Sequence, residues 1–246
     1  MSFSNNTAQH NPSTKWYEWN GEDGYLTSFD KSQKNSENKG KVKTDIPFKF
    51  ILLDATSSIK GFSEEHGFIY SNEVKDTTTQ PFYVKAHKGK MLASGIYNSI
   101  KGSLAVLKCR FNKNIYIIRK NENKQFELCT LQLKGAALQS WSDFCKENKI
   151  YNNTCHKAIT ISSIREGKKG NIKYKIPVFS VIDEEIKDSV KKVAEELDKN
   201  LQEYFASYFT RRASMPEPHV EENPMPELEQ EEESFPKQPI SSDDDF

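Results

Sequence analysis

Charge and proline are divided unevenly along this chain, and that division limits what it can fold into more than any other feature. From Ala213 to Phe246 there are eleven acids, Glu217, Glu221, Glu222, Glu227, Glu229, Glu231, Glu232, Glu233, Asp243, Asp244 and Asp245, against the single base Lys237, a balance of −10. Six of the ten prolines lie at or after Pro216. So little apolar surface cannot offset the entropy of ordering the chain, and residues 213–246 are expected to form a disordered acidic tail. The fold must come from residues 1–212, which hold 34 Lys and Arg against 24 Asp and Glu, a balance of +10. A formal net charge of zero thus hides a basic body joined to an acidic arm of equal and opposite charge. Such a layout points to a protein that binds a polyanion and carries its own competitor.

Residues 1–14 are polar and rich in Asn and Ser and read as a loose, disordered lead. Residues 15–212 remain as one domain around one core. Cys109, Cys129, Cys145 and Cys155 show no CxxC spacing, and no apolar run follows the N-terminal Met. These features predict reduced, mostly buried thiols in a cytoplasmic protein. No stretch approaches the roughly 20 apolar residues of a membrane span.

Within the body, short strand-like segments crowd together. Lys15 to Leu26 is dense in aromatics around a Gly-containing turn and predicts a hairpin, followed by a polar loop from Lys31 to Lys43. Pro47 to Asp54, Gly67 to Ser71 and Phe82 to His87 read as strands, with turns at Asp54 to Gly61 and Lys88 to Lys90. In the third, alternation puts Phe82, Val84 and Ala86 on one face and Tyr83, Lys85 and His87 on the other. Ile96, Ile100, Leu104 and Leu107 recur at helical spacing within Ala93 to Leu107. Strands resume at Asn114 to Lys120 and Phe126 to Leu133, and Gly135 to Asn148 reads as a helix. A hairpin then joins Ala158 to Ile164 with Asn171 to Phe179, and Asp183 is placed to cap a long closing helix. Strands this close, without strict strand–helix alternation, predict a mainly β, α+β fold: a small five-stranded antiparallel barrel of the oligonucleotide/oligosaccharide-binding (OB) type over Ile46 to Leu133, with an extra hairpin and a long C-terminal helix.

Catalytic chemistry is hard to assemble. His10, His66, His87, His156 and His219 are isolated from one another, and neighbouring Cys155 and His156 would point apart in a strand. Phosphate-cradling GxxxxGK[ST] and GxGxxG loops are absent, as is GxSxG. Asp54, Glu64, Glu65 and Asp143 have no spacing that favours Mg²⁺ over a solvated surface. The expectation is a protein that is not an enzyme and uses no cofactor or metal.

Basic and aromatic residues, by contrast, are interleaved throughout the body. Single-stranded nucleic acid needs cations along its phosphates and flat side chains beneath its unpaired bases. Candidate contacts are Trp16, Tyr17 and Trp19; Lys60 and Phe62; Tyr70 and Lys75; Tyr83, Lys85, Lys88 and Lys90; Arg110, Lys113, Tyr116 and Arg119; and Lys168, Lys169, Lys173 and Lys175. Phe48, Phe50, Phe82, Trp141 and Phe179 are assigned to the core. Stacking and phosphate contact tolerate any sequence, and neither separates DNA from RNA.

A basic body, a Pro- and acid-rich arm and the terminal Asp243-Asp244-Asp245-Phe246 together resemble the single-stranded DNA-binding proteins of bacteria and, more closely in layout, those of tailed phages. The resemblance implies an OB-fold core that coats single-stranded DNA during replication, recombination and repair. It also implies that Asp243, Asp244, Asp245 and Phe246 dock on replication proteins such as polymerase, helicase, primase or recombination factors. If the chain is phage-encoded, its place would be the host cytoplasm. The segment from Gly135 to Arg212 and the lack of a Gly/Gln-rich linker depart from the bacterial pattern, so a tetramer does not carry over; a monomer or homodimer is the alternative. The rival readings are an RNA-binding or strand-annealing protein on the same barrel, a metal-dependent nuclease, and an adaptor whose tail only solubilises it.

Overall fold

A computed structural model describes residues 10–29, 41–150 and 157–213. Its strands are β1 (Lys15–Asn20), β2 (Tyr25–Phe29), β3 (Lys41–Thr44), β4 (Phe48–Ser63), β5 (Gly67–Tyr70), β6 (Phe82–Ala86), β7 (Met91–Gly95), β8 (Arg110–Lys120), β9 (Phe126–Lys134), β10 (Ala158–Lys169) and β11 (Ile172–Ile182). Three helices accompany them: α1 (Tyr97–Val106), α2 (Gly135–Glu147) and α3 (Asp188–Ala213). The fold is mainly β with added helices.

One mixed sheet organises these strands in the order β3-β2-β1-β9-β8-β4-β5-β6-β7, and β10, paired with β11, joins the near end of β4. Only the β1–β9 ladder is parallel among the described residues. The path is open, and among the described residues no ladder joins β3 to β7. The span Ile46 to Leu133 therefore does not close on itself as expected: β5, β6, β7 and α1 extend the sheet sideways from the far end of β4 around a core of their own.

Several local expectations change for physical reasons. Asp54 to Gly61 is no turn, although its residues favour one; it runs straight through the 16-residue β4. Its turn-forming side chains find tertiary partners instead, with Asp54 on Lys75 and the hydroxyls of Thr56 and Ser58 beside Asn114. A bulge between Leu52 and Asp54 resets which side chains face which way. The first residues of the expected Ala93 to Leu107 helix belong to β7; Gly95, at φ 145°, makes the bend into α1. β11 runs on to Ile182, which moves the start of the last helix from Asp183 to Asp188. The end of the lead is docked: Ser13 is buried with its hydroxyl 2.7 Å from that of Thr130, and Thr14 N–H donates to Leu128 C=O at 2.9 Å.

Three apolar clusters hold the sheet. The largest lies between β1, β9, β8 and β4 on one side and α2, β10 and β11 on the other, with Tyr17, Phe48, Phe50, Ile117, Leu131, Trp141 and Phe179 at its centre. A second forms where Ala194, Leu201, Tyr204 and Phe205 of α3 cover Ile51, Leu53, Tyr116, Ile118 and Leu128 on the opposite face. The third packs Ile100 and Leu104 of α1 on Ile59, Ile69, Phe82 and Val84. At roughly 1.5–3 kcal/mol for each large side chain buried, these clusters dominate the stabilisation. All five aromatics assigned to the core from the sequence are buried.

Candidate nucleic-acid interface

Two faces of this sheet have opposite fates. One is closed by α1, α2 and the β10–β11 hairpin; the other is covered by α3 over Ile51, Tyr116, Ile118 and Leu128, by Asn11 and Ser13 over Tyr116 and Thr130, and by Glu73 over Thr56. Register decides which side chains share this second face, of which Thr56, Ser58, Asn112, Asn114 and Thr130 are buried. Trp16 and Glu18 lie opposite Thr130 and Gln132; Gln132 and Lys134 lie opposite Asn114 and Asn112; those face Thr56 and Ser58; Arg110 faces Lys60; and Phe62 and Lys60 face Phe68 and Tyr70. Lys85 continues the row opposite Tyr70, and Thr27 and Lys43 extend it beyond Glu18.

All five exposed aromatic side chains among the described residues belong to this open face. They are Trp16 (38% exposed), Phe29 (45%), Phe62 (56%), Phe68 (67%) and Tyr70 (45%). Phe62 and Phe68 meet edge to face with ring centroids 5.3 Å apart, and Trp16 and Phe29 line a common cleft of about 690 Å³. Between the two groups stand the cations Lys60, Arg110 and Lys134. Lys60 is exposed and donates to Gln132 Oε1 at 2.8 Å, while Lys134 pairs with Glu18. Crowding by the surrounding protein strips water from the Lys60 ammonium and holds its pKa below the usual lysine value.

Beneath the cations the polar groups satisfy one another. Gln132 Nε2 donates to Asn114 Oδ1 at 3.2 Å, Asn114 Nδ2 reaches Ser58 Oγ at 3.1 Å and Thr56 Oγ1 at 3.4 Å, and Asn112 Nδ2 donates to Arg110 C=O at 2.9 Å. Buried amides need such partners, and amides so engaged have little left with which to read base edges.

The structure sorts the sequence candidates sharply. Trp16, Lys60, Phe62, Tyr70, Lys85 and Arg110 are brought together on the open face, with half-buried Tyr83 further out on the Lys85 strand and exposed Lys88 and Lys90 at its end. Tyr17, Trp19 and Tyr116 are corrections: all three are buried, because strand parity turns the first two into the large core and α3 covers the third. Trp19 Nε1 donates to Lys175 C=O at 2.9 Å, and Tyr116 OH donates to Glu73 Oε2 at 2.8 Å. Lys75 is tied to Asp54 at 2.8 Å and lies over the Phe205 ring, and Arg119 lies over Tyr17 and Phe48 while donating to Tyr17 OH at 2.7 Å. Lys113 points to the closed face, where burial lowers its pKa and its Nζ meets Ser57 Oγ at 3.3 Å. Exposed Lys168, Lys169 and Lys173 sit apart, at the free end of the β10–β11 hairpin, and Lys175 is engaged with the β1–β2 turn through Gly21 C=O and Asp23 C=O.

Comparison of the chain with protein-family models, with curated proteins and with solved structures finds no match. What the site can do must be read from its own chemistry. Among the described residues no three His, Cys, Asp or Glu side chains gather as a metal site, and no helix is long and apolar enough to cross a membrane. The tip Asp243 to Phe246, the rest of the tail from residue 214, the Cys155-His156 pair and most of the polar loop after Lys31 lie outside the described residues.

Sequence reading missed Phe29, Phe68 and Lys134. Phe68 had a usable signal: it mirrors Phe62 across the turn at Glu64 to His66, so a hairpin there pairs the two rings. Phe29 had a weaker one, the period-two continuation of Tyr25 and Thr27 past Leu26.

Proposed function

We propose that this chain binds single-stranded DNA without sequence preference across the open sheet face, coats it, and recruits replication proteins through its acidic tip, Asp243 to Phe246. The observation that carries the reading is the gathering of every exposed aromatic among the described residues on one face with Lys60, Arg110 and Lys134 between them. Solvent-exposed rings gain little for the fold, whereas each stacked base gains roughly 1–3 kcal/mol whatever its identity. The saturated amide layer favours sequence tolerance, and DNA over RNA rests on the resemblance of the tail.

The finer fold supports the same reading. β4, β8, β9, β10 and β11 form three antiparallel pairs, β4–β8, β8–β9 and β10–β11, with α2 between the third and fourth strands and β10 returning to β4. Lys175 N–H of β11 donates to Gly21 C=O, just beyond β1, at 2.6 Å. We read this as an OB-type barrel into which β1 has entered between the third and fifth strands, with the open face on its outside.

Titration with oligo(dT), followed by tryptophan fluorescence and by gel shift, tests the proposal. Quenching that disappears in Trp16→Phe, together with binding that weakens steeply with salt, is expected. No shift at low salt would overturn the reading, and poly(U) competing better than poly(dT) would replace DNA by RNA. Loss of labelled strand in Mg²⁺ would point instead to a nuclease.

A further inference from the structure

The exposed aromatics are not one continuous platform. Trp16 and Phe29 stand at one corner of the open face, and Phe62, Phe68 and Tyr70 at the corner diagonally opposite. Four strand intervals separate β1 from β5, about 19 Å at ~4.8 Å each, and the level of Trp16 on β4 is Asp54, some six to eight residues short of Lys60 and Phe62. At about 3.3 Å per residue the diagonal is about 30 Å. Along it, among the described residues, lie no exposed rings; the intervening positions are Gln132, Lys134, Arg110 and Lys60, with Asn112 buried beneath them.

Building on the proposed single-strand binding, we infer that the face holds two separate stacking stations joined by a cationic bridge, and that one strand must span both to bind tightly. At the stacked rise of 3.4 Å per nucleotide the diagonal takes about nine nucleotides, and fewer once the strand is pulled straight. A strand long enough to reach the second station engages it as an intramolecular event, which raises affinity by 10²–10⁴ without any new kind of contact. A shorter strand occupies one station or the other. The ligand class is therefore an unstructured strand of threshold length; a mononucleotide or short oligonucleotide meets only half of the site.

Affinities for dT4, dT6, dT8, dT10 and dT12 test this at fixed salt. The wild-type chain is expected to gain at least 100-fold between dT4 and dT10 and to flatten beyond. Trp16→Ala with Phe29→Ala, and separately Phe62→Ala with Phe68→Ala, truncate partly exposed rings; each pair should abolish the step and leave dT4 bound at the station that remains. A smooth rise with length in the wild type, or one pair abolishing dT4 binding while the other has no effect, overturns the two stations and leaves single-strand binding standing. No binding at any length overturns the proposed function itself.

Discussion

Trp16 and Tyr17 are neighbours, yet one is open to solvent on a face lined with cations and the other is sealed against Phe48 with ring centroids 5.0 Å apart. The same contrast repeats across the sheet, where Lys60 and Phe62 open outward and Ile59 packs beneath α1. One ladder of strands thus carries two chemistries, an aromatic and aliphatic face closed over the main core and an opposite face that is apolar under α3 and aromatic and basic where α3 leaves it uncovered. The difference shows that aromatic content alone says nothing about binding; parity and what covers each face decide it.

The largest effect expected from this contrast is on stability. Phe48→Ala empties a site in the main core and should cost about 3–5 kcal/mol in denaturant unfolding. Trp16→Ala, at a partly exposed ring, should cost clearly less than that, while its loss of single-strand affinity is the greater of the two once the Phe48 variant is measured below its unfolding midpoint. If Trp16→Ala destabilised the chain as Phe48→Ala does, the two faces would not be separable into fold and function.

Parity is also what limited the reading from sequence. Alternation in Phe82 to Ala86 is regular and uninterrupted, and its two faces were legible as they stand. In β4 the polar run Asp54 to Gly61 mimics a turn, because the groups that satisfy it, Lys75 and Asn114, come from distant segments. The bulge at Leu52 and Asp54 then shifts the phase, so that no single period describes the strand. Tyr116 and Tyr17 have the composition of contact residues and were lost to α3 and to the main core, which only tertiary packing reveals. The basic and aromatic character of the site was legible; which half of those residues shares a face was not.

A smaller effect sharpens the electrostatic side of the contrast. Each phosphate neutralised on a single strand contributes about −0.7 to the slope of log affinity against log salt. Arg110→Gln, on the open face, should therefore flatten that slope by about 0.7, and Lys113→Gln, on the closed face, should leave it unchanged. Equal slopes for the two variants would mean that strand contact does not follow the face.

The smallest expected effect separates the same two faces by pH. Burial lowers the pKa of both Lys60 and Lys113 from the usual 10.5, so the folded chain loses these protons at lower pH than the unfolded chain does. Within the window below 10.5 the unfolded state then holds more protons, and stability rises with pH as each lysine reaches its folded value. Binding should move the other way, because only Lys60 faces the strand and its neutral form holds no phosphate. Lys60→Arg keeps its charge throughout and should make single-strand affinity fall less on approaching pH 10.5, while Lys113 preserves part of the upward trend in stability. Affinity and stability measured on the same samples across that window check both signs. A Lys60→Arg chain whose affinity falls as steeply as the wild type would remove Lys60 from the bridge between the stations.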